Sequence, residues 1–297
     1  MSIQATLIKA VTRRTIKRYG LDEEQLVRHL RKVFNNSPSL TLMPFGVKLN
    51  KVNQPGFEGD RLSVSDPQMT VLYIHGGAYI GGVTKTYHNM AARLAKQLKG
   101  EVYLATYPFA PEHPFPAATD RVMEAYEYLL GLGKAPEDIV IAGDSAGGGL
   151  TLATLLRIRD QGLPQPRCAV TFSPGSNCFP EDSILDALDP SDAMLSADII
   201  RTVIDIYVPD PAQRSNPYAS PCLGDYSGIC PLMITVSTDE VLYSDAKRVR
   251  DAAQKSGVEV EWLERGGLFH VWPVMTPLLP EARQDLKKVS AFIRRHG

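Results

Sequence analysis

Residues Asp138–Leu150, DIVIAGDSAGGGL, join an apolar run to a Gly-x-Ser-x-Gly pattern. The run that ends at Ala142 has the length and β-branching of a buried strand, and a helix-like pattern follows Ser145. A serine on a sharp strand-to-helix turn projects its hydroxyl group upward, and the flanking Gly143 and Gly147 remove side chains that would collide there. We therefore predict Ser145 as a nucleophile. The alternative is a glycine-rich turn that only packs a helix closely on a sheet.

Strand-like and helix-like patterns alternate along the chain after about residue 45. Buried strands are indicated at 70–74, 102–107, 138–142, 169–172 and 232–236, with a more alternating strand at 258–263 and two early antiparallel strands at 46–52 and 61–64. Helices are indicated at about 87–98, 117–130, 146–159, 244–256 and 280–295. This alternation predicts an α/β fold, with a mostly parallel central sheet and helices on both faces. Such sheets bind ligands beyond the carboxyl ends of their strands.

Two regions interrupt the alternation. Residues 1 to about 40 have the pattern of two helices, and residues about 176–220 are rich in Pro, Ser, Asp and Cys. We predict a single domain over 1–297 in which these two regions pack together as a helical cap above the strand ends. The basic N-terminus allows an organelle transit peptide, but an amphipathic helix is favoured, with an apolar face formed by Ile3, Leu7, Ile8, Val11 and Ile16.

Composition excludes several classes of protein. The 297 residues are 44% apolar, which is ample for a large core, and the net charge of −1 argues against a nucleic-acid partner. Neither a secretory signal nor a run of about 18 apolar residues is present, so no membrane span is expected. The four cysteines form no CxxC pair and have no zinc-ligand spacing; they are Cys168, Cys178, Cys222 and Cys230. This pattern predicts a reducing, cytoplasmic location and no metal site.

Residues Val71–Gly82, VLYIHGGAYIGG, carry a glycine-rich loop directly after a predicted strand. A serine that attacks a carbonyl group creates an oxyanion, which backbone N–H groups after the nucleophile and after an earlier strand can stabilise. We predict Gly76, Gly77 and Ala146 as these donors. His75 precedes the donors at the strand end, so we expect it to brace the loop rather than to act as a base.

A base is expected late in the chain. Only His270 and His296 follow Ser145, and His296 is the penultimate residue. His270 comes soon after the last predicted strand, where the histidine of such a fold belongs. An unperturbed imidazole has a pKa near 6.5, so it can take a proton from a serine at neutral pH. We therefore predict His270 as the base.

The acid is sought after the strand at 232–236. Asp239 is the first carboxylate past the end of that strand, and it is the predicted partner of His270, whose tautomer it would hold. Glu240 and Asp245 are close alternatives. Asp245 is expected to lie already on the following helix.

Five ordered motifs resemble those of the bacterial hormone-sensitive-lipase-like esterases, which are α/β-hydrolases. They are HGGAYIGG, YPFAPEHPFPAA, GDSAGGGL, TDEVLYSDA and FHVWP. The resemblance implies an α/β-hydrolase fold with a helical cap, no cofactor, and hydrolysis of short- to medium-chain carboxylic esters through an acyl-enzyme. Carried over residue by residue, it implies a triad and an oxyanion hole formed by Ser145, Asp239, His270, Gly76, Gly77 and Ala146.

The sequence departs from that family at the loop motifs. Ala78 stands where the family has a third glycine, and Ala193 stands where relatives often have proline. Pro108 stands where the family commonly has arginine, which removes the donors of a guanidinium group from this loop. Glu112 and His113 follow in a proline-rich stretch, where a structural bracing role is favoured over a catalytic one.

The same triad would serve other substrates. A lactone hydrolase and an acetyl-ester or amide deacetylase are alternatives, and a non-catalytic ligand-binding member of the fold is a remote one. The expected partner is a small-molecule ester or lactone. Tyr79, Phe269 and Trp272 flank site residues and are candidate pocket walls. The helix at about 280–295 could support a homodimer.

Overall fold

The computed structural model describes residues 1–35, 43–82, 85–276 and 278–296 of the chain. The strands are β1 (Lys48–Gln54), β2 (Phe57–Ser63), β3 (Thr70–Ile74), β4 (Glu101–Ala105), β5 (Ile139–Asp144), β6 (Cys168–Phe172), β7 (Leu232–Ser237) and β8 (Val260–Arg265). The α-helices are α1 (Ile3–Thr15), α2 (Glu23–Asn35), α3 (Lys85–Leu98), α4 (Ala117–Gly131), α5 (Ala146–Asp160), α6 (Asp182–Leu188), α7 (Ala197–Tyr207), α8 (Tyr243–Lys255) and α9 (Pro280–Arg295).

The eight strands form one sheet in the order β1-β2-β4-β3-β5-β6-β7-β8. Strand β2 is antiparallel to both β1 and β4, whereas the strands from β4 through β3 to β8 are parallel to one another. The predicted mostly parallel sheet is therefore confirmed. Parallel strands bring their carboxyl ends to one edge, so the loops after β3, β5, β7 and β8 open on the same side.

The core lies on both faces of the sheet. All five residues of β3 are buried, because helices cover the sheet on each side. Val71 and Tyr73 belong to a cluster with side chains of α3 and α9, whereas Leu72 and Ile74 belong to a cluster with side chains of α4, α5 and α8. This period-2 division is why the central strands read as continuous apolar runs.

Strand β2 begins earlier than its sequence pattern indicates. The predicted strand started at Arg61, but pairing with β1 begins at Phe57, opposite Gln54. The residues between, which include Glu58 and Asp60, are polar and only partly covered, so they lack the apolar run used to recognise the buried strands.

The N-terminal helices contact the segment between β6 and β7. Lys17 Nζ donates to the carbonyl oxygens of Asp189 and Asp192, at 2.5 and 2.9 Å. Ser196 Oγ donates to the carbonyl oxygen of Arg18 at 2.5 Å, and α2 packs against α7. The two regions predicted to form a cap therefore touch each other. Residues 36–40 of the predicted cap lie outside the described residues.

Helix α1 turns a different face inward from the one predicted. Ala5 and Thr12 are buried, whereas Ile3, Leu7 and Val11 are 79%, 62% and 58% exposed. The predicted apolar face is therefore wrong for these three side chains. The helix packs instead through Ala5 and Thr12, and of the predicted face only Ile8 and Ile16 pack against a buried cluster. Among the described helices, none is both long and apolar enough to cross a lipid bilayer.

Candidate active site

Ser145 lies at the turn between β5 and α5. Its backbone has φ 53° and ψ −121°, a strained conformation for a residue with a side chain. A Cβ atom at Gly143 would lie 2.3 Å from the carbonyl oxygen of Gly147, and one at Gly147 would lie 2.1 Å from that of Ile74. Only glycine fits at both positions, so the close approach of backbones requires the spacing seen in the sequence.

His270 connects the serine to a glutamate. His270 Nε2 lies 2.8 Å from Ser145 Oγ, and His270 Nδ1 lies 3.0 Å from Glu240 Oε2. The N–H of Ser237, the last residue of β7, donates to the other carboxylate oxygen of Glu240 at 3.3 Å. Side chains from the ends of three strands thus form a continuous hydrogen-bonded series, and both His270 and Glu240 are buried.

Asp239, the predicted acid, points elsewhere. Its carboxylate binds Lys9 Nζ of α1 at 3.2 Å and accepts the N–H of Gly267 at 3.2 Å, and its side chain is 26% exposed. The prediction that Asp239 is the partner of His270 is therefore wrong. The turn after β7 directs consecutive side chains to different sides, so the second carboxylate, Glu240, faces the histidine.

The histidine and the glutamate perturb each other. Burial raises the pKa of Glu240, and the hydrogen bond and charge of His270 oppose that rise. Burial lowers the pKa of His270, but the hydrogen bond and charge of Glu240 outweigh it, so the pKa lies above its usual value. The carboxylate therefore stabilises an imidazolium ion, which is what a base needs after it has taken a proton.

In the glycine-rich loop after β3, one of the predicted oxyanion donors is already hydrogen-bonded within the protein. The N–H of Gly76 already donates to Asp144 Oδ1 and to the hydroxyl oxygen of Tyr87, at 3.0 Å each. Gly76 is therefore not a free donor. Near the serine, the backbone N–H groups of Gly77, Ala78 and Ala146 have no acceptor among the described residues.

Asp144 joins this loop to the serine turn. Besides the N–H of Gly76, it accepts the hydroxyl groups of Tyr73 at 2.9 Å and Tyr87 at 2.8 Å. Burial raises the pKa of Asp144 to about 6, although these hydrogen bonds oppose the rise. Sequence reasoning missed this network. The sequence offered only a weak indication of it. Asp144 is a carboxylate inside the apolar, glycine-rich stretch before the serine, and Tyr73 and Tyr87 lie in otherwise largely buried segments.

His75 is enclosed beneath the loop. Its Nδ1 lies 2.7 Å from the carbonyl oxygen of Gly76, and its ring stacks on Tyr107 with 4.5 Å between centroids. The hydroxyl of Tyr107 donates to the carbonyl oxygen of His75 at 2.9 Å. Burial lowers the pKa of His75 to about 4, so the ring is neutral at pH 7.

A narrow cavity of about 60 Å³ adjoins the serine. Its walls are largely apolar, and they include Ala78, Tyr79, Ile199, Val203, Tyr207 and Leu242. Tyr79 and Tyr207 stack with 3.6 Å between ring centroids, which joins the loop after β3 to α7. The structure thus brings Tyr79 to the cavity, as its sequence position suggested.

Phe269 and Trp272 lie away from this cavity. They pack with Leu268 and Met194 in a separate buried cluster, and the indole N–H of Trp272 donates to Asp285 of α9 at 3.1 Å. Both are absent from the cavity walls formed by the described residues. Their prediction as pocket walls is therefore wrong, because the chain around His270 turns the neighbouring rings into the core.

The chain is similar to known proteins. A family model described as the alpha/beta hydrolase fold matches residues 71–274. The chain belongs to this family. An acetyl-hydrolase of Streptomyces hygroscopicus is 36% identical over 76% of this chain and 75% of its own length. An esterase of Acinetobacter venetianus is 30% identical over 88% of this chain and 84% of its own.

Solved structures of known proteins also resemble this chain. A crystal structure of EstE5 soaked with p-nitrophenyl butyrate has a TM-score of 0.89 and 31% identity, covering 100% of this chain and 99% of EstE5. An esterase from the bacterial hormone-sensitive lipase family has the same TM-score at 26% identity and the same coverage. The resemblance carried by the five motifs, the α/β-hydrolase fold and the expectation of a carboxylic ester hydrolase are confirmed.

In this α/β-hydrolase, an arginine from α2 supports the loop that carries Pro108. Arg31 donates to the carbonyl oxygens of Ile80 at 3.1 Å and Ala110 at 3.3 Å, and to Glu112 Oε1 at 2.8 Å. The hydrogen bond from Arg31 lowers the pKa of Glu112 to about 2. A guanidinium group is thus present at this loop, supplied from the N-terminal region rather than from position 108.

Proposed function

We propose that this protein is a serine carboxylesterase in which Ser145, His270 and Glu240 form the catalytic triad. The observation that carries the proposal is the continuous contact from Ser145 Oγ through the imidazole to Glu240, at 2.8 and 3.0 Å. Glu240 replaces Asp239 in the role that sequence reasoning had assigned. Its part is to hold the tautomer of His270 and to stabilise the imidazolium ion.

The proposed oxyanion hole consists of the N–H groups of Gly77, Ala78 and Ala146. These groups have no acceptor among the described residues, whereas the N–H of Gly76 is already used. Ala146 is the first residue of α5, so the helix dipole adds to its positive field. Gly76 keeps a structural task, which is to hold the loop against Asp144.

The reaction follows from these positions. His270 takes the proton of Ser145 as the serine Oγ attacks the ester carbonyl carbon. The oxyanion that forms accepts hydrogen bonds from the free backbone N–H groups. As the tetrahedral intermediate collapses, the C–O bond of the ester breaks and the alcohol leaves with the proton from His270. Water, deprotonated by His270, then hydrolyses the acyl-enzyme and regenerates the serine.

Esters with short acyl groups are the proposed substrates. The cavity beside Ser145 is small and largely apolar, and two of the relatives are named acetyl-hydrolases. Within this class of short-chain esters, acetyl esters and butyryl esters are the two substrates to compare first. A series of p-nitrophenyl esters from acetate to decanoate checks this, with a maximum at four carbons or fewer expected; a maximum at eight or more would contradict it.

The cap, the location and the oligomeric state are further proposals. We propose that residues 1–40 and 176–220 form the cap, supported by the hydrogen bonds that join Lys17 to Asp189 and Asp192. A cytoplasmic location is supported by the four cysteines, which are all buried and free. A homodimer through α9 stays a prediction, which light scattering after size-exclusion chromatography checks.

The decisive experiment replaces the nucleophile. Ser145→Ala is expected to lower kcat for p-nitrophenyl butyrate by about 10⁵-fold or more, because the triad acts as a unit. A fluorophosphonate probe is expected to label the unsubstituted protein and not the variant. Labelling of S145A, or near-normal turnover, would remove the proposal. An unlabelled wild-type protein would instead favour a non-catalytic, ligand-binding role.

A further inference from the structure

A carboxyl group lies in the wall of the cavity beside Ser145. It belongs to Asp245, near the start of α8, which is 3% exposed and shares this cavity with the serine. The cavity walls are otherwise mainly aliphatic and aromatic. A titratable group here is not used by the triad, whose carboxylate is Glu240.

Asp245 is only partly satisfied by the protein. Asn177 Nδ2 donates to its Oδ1 at 3.2 Å. Among the described residues, no donor faces its Oδ2. The hydroxyl of Ser176 contacts the backbone carbonyl of Asp245 at 3.4 Å and not its carboxyl group. Oδ2 is not one of the fully enclosed side-chain atoms without a partner, so it is reachable from the cavity and open to a donor that enters there.

The surroundings of Asp245 add little positive charge. Burial raises its pKa to about 7, and the Asn177 hydrogen bond and the charge of Arg248 only partly oppose the rise. The other titratable groups that interact with it are Tyr79, Cys178 and Cys222, and the negative charge of Asp245 contributes to raising the pKa of each. Maintaining this acid in an apolar wall costs stability, which is typical of a functional position.

We propose that Asp245 is a specificity-determining residue that accepts a hydrogen bond from a hydroxyl group on the ester substrate. The inference rests on the proposed esterase function and narrows its substrate class to short esters that carry a hydroxyl group on the part filling this cavity. The hydroxyl would reach Oδ2, and the rest of the chain would contact the apolar walls.

A hydroxyl group fits this position better than an ammonium group. An ammonium ion would require full ionisation of a buried carboxyl group and would itself lose its hydration, and buried ion pairs often fail to recover that cost. A hydroxyl group can donate to the carboxylate and can also accept from the carboxylic acid, so it is matched to both protonation states near neutral pH. A cationic substrate is therefore the competing outcome.

The first arm of the test compares matched esters with the wild-type enzyme. Ethyl butyrate is paired with ethyl 3-hydroxybutyrate, ethyl hexanoate with ethyl 6-hydroxyhexanoate, and butyl acetate with the monoacetate of butane-1,4-diol. Acid release is followed by pH-stat titration. In at least one pair the hydroxylated ester is expected to have about tenfold higher kcat/KM, the effect of one good hydrogen bond. The pair that responds tells whether the acyl or the alcohol part carries the hydroxyl.

The second arm removes the acceptor. Asp245→Leu and Asp245→Ala are expected to lose the preference for the hydroxylated ester, measured as the ratio of kcat/KM for the two esters of a pair, so that a change in the overall rate of a variant cancels. Asp245→Asn keeps a carbonyl acceptor and should retain part of the preference. Asp251→Asn, an exposed position on the same helix, is the matched control and should change nothing. Leucine and alanine differ in volume, so a packing failure of one variant, seen by circular dichroism, leaves the other to decide.

Each outcome is decisive. No preference in any pair, or a preference that survives in D245L or D245A, overturns the proposal. A preference for ethyl 4-aminobutyrate over ethyl butyrate that exceeds every hydroxyl preference overturns the choice of hydroxyl. Failure of the broader esterase function is recognised separately, because the wild-type protein would then hydrolyse neither ethyl butyrate nor any other ester of the series.

Discussion

The two halves of the site are held in different ways. On one side, the loop after β3 and the turn after β5 are held together by close backbone contacts at their glycines and by the Asp144 side chain, which accepts a hydrogen bond from the N–H of Gly76. On the other side, the turn after β7 is held by distant segments. Asp192 accepts the N–H of Val241 at 3.0 Å, and Ser191 Oγ donates to the carbonyl oxygen of Asp239 at 2.9 Å.

This difference has consequences for function. The nucleophile side tolerates almost no added atoms, because its glycines lie against backbone. The turn after β7, which carries Glu240, depends on side chains from α1 and from the segment between β6 and β7. Substitutions in those regions can therefore shift Glu240 and, with it, the orientation of His270. Substitutions on the first side are therefore expected to be severe, and those on the second to range from severe to mild according to which carboxylate they touch.

Apart from the loss of Ser145 itself, the largest effect is expected for Glu240, the second of the two neighbouring carboxylates after β7. Glu240→Gln should lower kcat by about 10³–10⁴-fold, because an amide favours the wrong tautomer of His270. Asp239→Asn, the matched control one residue away, should change kcat by less than about threefold, since it contacts Lys9 and not the imidazole. Steady-state kinetics with p-nitrophenyl butyrate measure both. Equal losses, or the reverse order, would restore Asp239 as the acid.

A smaller but still large effect is expected at the glycine-rich loop. A Cβ atom at Gly76 would lie 2.4 Å from Asp144 Oδ2, so Gly76→Ala should displace the loop and lower kcat by about 10²-fold, roughly the loss of one oxyanion donor. Gly131→Ala, at the end of α4 with no atom near its Cβ, is the control and should leave kcat unchanged. Normal turnover in G76A would show that the loop does not set the donor positions.

The pH dependence sharpens the role of Glu240. In the proposed mechanism, activity requires neutral His270. Glu240 holds the pKa of His270 above its usual value despite burial. Removing the negative charge in E240Q destabilises the imidazolium ion, so the acidic limb of the pH profile of kcat/KM should move to lower pH. Profiles from pH 4.5 to 9 for both proteins measure this. An unchanged limb, or one that moves to higher pH, would mean that Glu240 does not interact with the titrating base.

The mildest effect is expected where α1 meets the acid turn. Lys9→Met removes a partly exposed ion pair with Asp239, so it should lower the free energy of unfolding by about 1 kcal/mol or less and leave kcat within about threefold. Lys51→Met, exposed on β1, is the control for the loss of a surface charge. Denaturant unfolding and kinetics measure the pair. A loss of kcat above tenfold in K9M would show that α1 positions the catalytic turn.

The parts that sequence reasoning predicted well have local causes. The continuous apolar runs of β3 and β5 follow from burial on both faces, and the glycines around Ser145 follow from the backbone contacts of the turn. His270 was found because only two histidines follow the serine and one of them comes soon after the last predicted strand. These signals are contained in short segments, so they can be read without knowing what packs against them.

The parts that failed depend on direction and on distant partners. Asp239 and Glu240 are adjacent carboxylates, and the sequence holds little information on which one the turn after β7 turns inward. Gly76 was predicted as an oxyanion donor because its acceptor, Asp144, is 68 positions away in the chain. Trp272 was predicted at the pocket because its packing against α9 is equally invisible in the sequence.

Periodicity and glycine spacing, which are local properties of the chain, were enough to predict the α/β fold, the serine turn and the position of the late histidine, and five short motifs carried the resemblance to α/β-hydrolases. The tertiary structure alone decided which carboxylate faces His270, which backbone N–H groups stay free, and that Asp245 opens into the cavity. Those outcomes depend on the direction of side chains at turns and on the pairing of buried polar atoms. Both are set only when segments far apart in the sequence come into contact.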